Sequence, residues 1–159
     1  MGGIGGLRYR LARRWLAAVG IAAATLVSSS ALAADCSADD KPCIDSEAGA
    51  QKAMASLDAG RVHELWDNSV SALWKSKTTE EVFVASFVGA IPLLSSGVAT
   101  RVLVQQGLVL DAPTNTQYYN RLYVVTLKNG LKLYENIAMQ KEGATYKVSG
   151  LGLFPYPTS

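Results

Sequence analysis

The chain has 159 residues, with 15 Lys and Arg against 13 Asp and Glu, a formal net charge of +2, and only 2 Cys and 1 His. Without the predicted signal over 1–33, the remaining 126 residues suit one domain that buries about two-thirds of its unfolded surface. So few soft ligands exclude a structural zinc site, and we expect no metal or other cofactor.

The N-terminal segment, residues 1–33, has the pattern of a secretory signal. Four arginines and no acidic residue precede an apolar stretch over 15–27, and a small-x-small motif ends at Ala33. We expect cleavage after Ala33 or Ala34. An apolar stretch this short does not reach the ~20 residues that a membrane span needs, so no stable span is expected after cleavage. We favour the ordinary secretory route over twin-arginine export, and predict a periplasmic or secreted protein.

Removal of the signal changes the charge balance. The four arginines leave with it, and the mature chain keeps 11 basic and 13 acidic residues, a net charge of −2. No basic patch of the kind that binds nucleic acid remains.

Cys36 and Cys43 are the only cysteines. Asp35 precedes Cys36, where a lipoprotein signal needs a small residue. The spacing also differs from the Cys-x-x-Cys of thioredoxin-like sites. In an exported compartment such a pair predicts a disulfide within an N-terminal segment over 34–45, and the short loop should stabilise the fold by about 2 kcal/mol. A redox role for the pair is kept as a minor alternative.

Three helices are predicted in the first half of the mature domain, which spans 46–159. Ser46 is the expected cap of the first helix, which ends at Gly60. The second helix covers about 61–75. The third begins with a capping box at Thr78 and ends near Pro92.

Four strands are predicted after the helices, because β-branched residues become frequent and turn signals separate the segments. Asn129-Gly130 is a strong two-residue hairpin signal, and Glu142-Gly143 marks the next turn. Helices followed by an antiparallel meander predict an α+β domain with N-terminal helices packed on a curved four-stranded antiparallel sheet.

The two turns predict a strand register in which Val124 faces Glu135. The expected core face carries Leu122, Val124, Leu131, Leu133, Ile137, Met139, Tyr146, Val148 and Phe154. Glu135 is the polar exception on this face, with space provided by Gly150 and Gly152. An ion pair with Arg101 is the favoured role for Glu135. The expected outer face carries Arg121, Tyr123, Lys132 and Tyr134.

Two tryptophans, Trp66 and Trp74, lie on the apolar stripe of the second helix. We expect them in the core, with the mouth of a cavity as the alternative. His63 and Asp67 lie off the stripe and are expected to be solvated.

Several segments resemble a known family when taken in order: "LDAGRVHELWDNS", "IPLL", Arg101, "LYENIAM" and "YKVSGL", over roughly residues 48–153. The pattern resembles the bacterial domain-of-unknown-function family 4019. The resemblance implies an exported protein without an established activity. It also implies a cone of helices on a curved sheet, as in cystatins and nuclear transport factor 2-like domains.

The favoured function is a small exported binding or accessory module without catalysis, holding an apolar ligand or a protein partner. The candidate ligand-binding residues are Trp66, Trp74, Arg101 and Glu135. The alternative is an enzyme that uses Glu135 as a general base, because burial raises the pKa of a carboxyl group and makes it a better proton acceptor near neutrality.

Overall fold

A computed structural model describes residues 36–157, so the predicted signal over 1–33 lies outside the described residues. The helices come first: α1 (Lys41–Asp58), α2 (Val62–Ser69), α3 (Ala72–Lys75), α4 (Glu80–Phe87) and α5 (Ile91–Leu94). The strands follow: β1 (Val98–Asp111), β2 (Thr116–Leu127), β3 (Lys132–Glu142) and β4 (Thr145–Pro155). The predicted α+β class is confirmed.

The four strands form one antiparallel sheet in the order β1-β2-β3-β4, which is not closed into a barrel. Helix α1 packs on β3 and β4, and α3 also contacts β4. The core between the helices and the sheet includes Leu57, Leu65, Phe83, Val125, Ile137 and Val148. Within the described part of the chain, no helix combines the length and apolar character that crossing a membrane requires.

Helix α1 begins six residues before the predicted start. Its N-cap is Asp40, whose side chain accepts a hydrogen bond from the backbone N–H of Cys43 at 3.0 Å, and Pro42 occupies the first turn. Both residue types favour a helix start. The predicted cap, Ser46, is fully buried inside the helix and donates to the Cys43 carbonyl at 2.7 Å. The predicted end is confirmed, since Gly60 has a positive φ of 70°.

The predicted second helix is interrupted, so that α2 and α3 are separate. Val70 is extended and forms a bridge with Val148, and the N–H of Ser71 donates to the Val148 carbonyl at 2.8 Å. The Ser71 side chain then caps α3 by accepting from the N–H of Trp74 at 3.1 Å. Where the helix is interrupted, the backbone N–H of Ser71 thus bonds to β4 and that of Trp74 bonds to the new cap.

The third predicted helix also divides in two. Its cap is Thr79 rather than Thr78, and α4 ends at Phe87. Pro92, the predicted stop signal, instead lies in the first turn of α5, where its missing N–H leaves no helical hydrogen bond unmade.

The predicted pairing of β2 and β3 is wrong by one residue, because the connecting loop has three residues instead of two. Leu127 and Leu131 flank the loop, and the N–H of Leu127 donates to the Leu131 carbonyl at 2.8 Å. Gly130 has a φ of 85°, whereas Asn129 does not have the positive φ that a type I′ turn demands. A turn followed by one left-handed residue is the usual three-residue hairpin.

A one-residue shift reverses the two faces of a strand. Tyr123 therefore pairs with Glu135, and Arg121 pairs with Ile137. Arg121 and Tyr123, predicted on the outer face, are buried on the core face at 1% and 7% exposure. Of the predicted core face, Leu133, Ile137, Met139 and Val148 are buried, Leu122, Val124 and Tyr146 are half-buried, and Leu131 and Phe154 are exposed.

The pairing of β3 and β4 also departs from the predicted register. Glu142 faces Thr145 across the turn, and a bulge follows between Ala138 and Met139. Glu135 consequently faces Leu153 rather than Gly150, so the predicted glycine space next to its side chain is absent.

Candidate functional site

Arg101 joins three elements at one end of α1. Its Nε donates to Glu135 Oε2 at 2.6 Å, and its Nη2 donates to the two carboxylate oxygens of Asp58 at 2.9 and 3.1 Å. Arg101 lies on β1, Glu135 lies in the middle of β3, and Asp58 is the last residue of α1. The predicted ion pair between Arg101 and Glu135 is therefore confirmed, and Asp58 is an additional partner.

Glu135 is the innermost member of this cluster. Its side chain is fully buried, and its second oxygen, Oε1, has no hydrogen-bond partner in the described part of the chain. Burial raises the pKa of Glu135, while the charge and hydrogen bond of Arg101 act in the opposite direction. For Arg101, burial alone would lower the pKa, but the hydrogen bond to Asp58 and the charge of Glu135 outweigh it and raise the pKa.

An open recess of about 360 Å³ lies on the solvent side of this cluster, between α1 and the first two strands. We call it the Arg101 recess. It is lined by Glu47, Gln51, Met54, Ala55, Asp58, Arg101, Leu103 and Tyr123. Glu135 is behind Arg101 and does not line the recess.

Two polar groups in the wall of the recess have no protein partner. Arg101 uses Nε and Nη2 in its ion pairs, and its Nη1 makes no hydrogen bond with residues 36–157. The Tyr123 hydroxyl likewise makes none within the described part of the chain, and burial raises the pKa of this phenol. Met54 and Leu103 supply apolar surface beside them.

The two candidate tryptophans lie elsewhere. Both rings contact Phe83, with centroid separations of 5.2 Å each, and the Trp74 ring meets Phe83 edge-on. Trp74 is buried, and Trp66 is half-buried with Lys75 Nζ 5.4 Å from its ring centroid. Neither tryptophan lines the recess, so the structure brings together only Arg101 and Glu135 of the four candidate binding residues.

A fully buried arginine, Arg121, lies at the other end of α1. The predicted disulfide between Cys36 and Cys43 is confirmed, and it lies against Arg121. Arg121 Nη2 donates to the Cys43 carbonyl at 2.9 Å and to Ser46 Oγ at 2.8 Å. Burial lowers the pKa of Arg121.

His63 is exposed and forms a 2.7 Å contact between Nδ1 and Glu80 Oε1, so its neighbour is α4 rather than Asp67. Residues 36–157 contain no group of three or more His, Cys, Asp or Glu side chains arranged to hold a metal ion.

The site residues that the sequence did not identify are Tyr123, Asp58 and Arg121. Asp58 lies within a segment that carries the family resemblance, next to the predicted end of a helix, but its distance from β1 is set only by the folded chain. Tyr123 and Arg121 were placed on the wrong face by the register. A three-residue loop between β2 and β3, in place of the predicted two-residue turn, would have placed both side chains on the core face.

Searches among protein-family models, curated proteins and solved structures return no match for this chain. The resemblance to the domain-of-unknown-function family 4019 therefore stays a prediction.

Proposed function

We propose that this protein is an exported binding module that holds a small, neutral, amphipathic molecule in the Arg101 recess without transforming it. The observation that carries the proposal is the pairing of unused hydrogen-bonding groups with apolar surface in one recess. Arg101 Nη1 and the Tyr123 hydroxyl can bind an oxygen acceptor, while Met54 and Leu103 contact an apolar body. A few convergent polar groups beside apolar side chains are typical of small-molecule sites.

The charges around the recess support a neutral ligand over an anion. Arg101 already has two carboxylate partners, Asp58 and Glu135, and Glu47 adds a third acidic side chain to the surroundings. A ligand carboxylate would meet this excess of negative charge at close range. A carbonyl or hydroxyl group accepts the same hydrogen bonds without that repulsion. Because the lining is both polar and apolar, it also favours a ligand with a polar end, whereas the sequence predicted an apolar ligand.

Glu135 does not supply a catalytic base in this proposal. Its side chain has no exposed surface, one carboxylate oxygen is held by Arg101 at 2.6 Å, and it does not line the recess. A general base must come within hydrogen-bond reach of the proton that it removes. We assign Glu135 to orienting Arg101, and leave catalysis out of the proposed function.

Export is part of the proposal. The signal pattern over 1–33 supports it, and a disulfide is typical of oxidising compartments such as the periplasm. Membership of the family 4019 would agree with this location.

The test is native mass spectrometry of the protein purified from the periplasm of a producing cell. Ala55 is an exposed residue of α1 in the wall of the recess, so Ala55→Trp should fill the recess with little effect on the core. Ala48 is exposed on the same helix but outside the recess, which makes Ala48→Trp the matched control.

We expect a small-molecule adduct on the wild type and on Ala48→Trp, and at least a tenfold lower adduct fraction on Ala55→Trp. A wild-type protein without an adduct, or an adduct that Ala55→Trp retains in full, would contradict the proposal.

A further inference from the structure

Arg121 is a buried cation without an acidic partner. Arg121 is 1% exposed, and its Nε and Nη1 find no hydrogen-bond partner among residues 36–157. The ion pairs formed within residues 36–157 do not include it. Among residues 36–157 its oxygen acceptors are the neutral Cys43 carbonyl and Ser46 hydroxyl, and the charge of Glu47 acts on it without forming an ion pair. Burying a charge without a counter-ion is costly, so this position calls for an explanation.

The disulfide lies where that counter-ion would be. Arg121 Nη2 is 3.8 Å from Cys36 Sγ and 3.7 Å from Cys43 Sγ. A disulfide carries no charge, whereas its reduction produces thiols that can ionise to thiolates. A guanidinium beside a cysteine lowers the pKa of the thiol and stabilises the thiolate. Reduction would therefore give Arg121 the negative partner that the oxidised protein lacks.

The two sulfurs have different surroundings. Cys43 is buried in the first turn of α1, where the helix N-terminus also favours a thiolate. Cys36 is half-buried, and its sulfur lies 3.7 Å from Glu47 Oε2, a negative group that disfavours a thiolate. Other titratable groups near the pair and Arg121 are Asp40, whose carboxylate accepts from the Cys43 N–H and disfavours a thiolate there, and Tyr119, Tyr123 and Tyr146. Cys36 is thus the accessible sulfur and Cys43 the better leaving group.

We propose that Cys36–Cys43 is a redox-active disulfide, exchanged with a dithiol reductant and poised by Arg121. A thiolate of the reductant attacks Cys36 Sγ, the S–S bond breaks, and Cys43 departs as a thiolate next to Arg121. The second thiol of the reductant, as its thiolate, then attacks the mixed disulfide and releases Cys36, which takes up a proton. The reductant leaves as a disulfide, so two electrons pass to the protein.

The first test measures the thiols directly. In Cys36→Ser the Cys43 thiol remains beside Arg121 at the start of α1, and in Cys43→Ser the Cys36 thiol remains between Arg121 and Glu47. The ultraviolet absorbance of the thiolate, followed against pH, gives the pKa of each. We expect the pKa of Cys43 to lie at least one unit below the ordinary value of about 8.5, and below that of Cys36. A Cys43 pKa at or above that value would overturn the proposal, since burial alone raises it.

The second test measures the equilibrium of the intact disulfide with dithiothreitol, by thiol alkylation and mass spectrometry. We expect Arg121→Met to make reduction at least tenfold less favourable than in the wild type. Arg61→Met, which removes an exposed arginine paired with Glu64, should leave the equilibrium unchanged. An Arg121→Met protein that is reduced as readily as the wild type would overturn the proposal. If Arg121→Met does not fold, the thiol pKa of Cys43 decides the question.

Discussion

Arg101 and Arg121 are two arginines on the same face of one sheet with opposite electrostatic settings. Arg101 has carboxylate partners on both sides, Asp58 and Glu135, and its pKa is raised. Arg121 has only neutral acceptors, and its pKa is lowered by burial. The first arrangement holds a recess wall in place, and the second leaves an unmatched charge beside a disulfide.

The sequence predicted the first arrangement but not the second. An acidic residue in an apolar strand needs a partner, and the prediction assigned Arg101 of the first strand to Glu135. In the sheet β2 separates these two strands, and the Arg101 side chain reaches Glu135 across it. No such signal indicated that Arg121 is buried. On β2, Leu122 and Val124 of one face are as apolar as Tyr123 and Val125 of the face that carries Arg121. Hydrophobic alternation could not choose between the two faces of β2, so the loop length alone decided which residues were buried.

At the residue scale, Glu135→Gln should change how stability depends on pH. In the folded protein the pKa of Glu135 is raised above the ordinary value of 4.5, whereas in the unfolded chain Glu135 has that ordinary pKa. The unfolded state therefore binds fewer protons in this window, and this contribution to stability, complete below pH 4.5, is lost as pH rises through the folded pKa. Urea unfolding between pH 4.5 and 7 measures the effect.

Relative to Glu135→Gln, we expect the unfolding free energy of the wild type to fall by up to about 1.4 kcal/mol per pH unit within the window. Glu64→Gln, at an exposed surface pair, should follow the wild-type profile. Parallel profiles for Glu135→Gln and the wild type would show that Glu135 has no raised pKa.

At the element scale, local signals located the four strands and the helical half of the domain, but they predicted three helices where residues 36–157 form five. Asp40 competes with Ser46 as a cap, and Val70 leaves its helix to pair with β4. Both choices depend on tertiary partners: Ser46 is needed by Arg121, and the backbone at Val70 meets Val148. The sequence carries the residues for either arrangement, and packing selects one of them.

The three-residue loop between β2 and β3 makes a separate prediction. Gly130 has a positive φ, so Gly130→Ala should cost about 1–2 kcal/mol of stability. Asn129 has ordinary backbone angles and accepts a hydrogen bond from the N–H of Leu131 at 3.0 Å. Asn129→Gly should therefore also destabilise, by about 0.5–1 kcal/mol, measured by urea unfolding.

A two-residue type I′ turn would place both residues at positive φ and make Asn129→Gly neutral or stabilising. That result would contradict the register on which the burial of Arg121 and Tyr123 depends.

At the scale of the whole molecule, the helices cover one face of an open sheet, and the half-buried Arg101 and the buried Arg121 both contact α1. Glu47 connects the two regions, since it lines the Arg101 recess and also lies close to the Cys36 sulfur. The α+β class followed from the order of helical and extended patterns in the chain. The recess did not, because its lining comes from three elements whose relative placement no local pattern encodes.

The two methionines outside the predicted signal, Met54 and Met139, allow the central claim to be tested within the folded protein. Met54 lines the Arg101 recess, whereas Met139 is buried on β3 against Gly49 and outside the recess. The measurement is the methyl NMR spectrum of ¹³C-methionine-labelled protein, before and after addition of the small-molecule extract from wild-type protein purified from the periplasm. The account predicts that the Met54 methyl resonance shifts and that of Met139 stays in place. A spectrum in which neither resonance moves, or only that of Met139, would contradict binding in the recess.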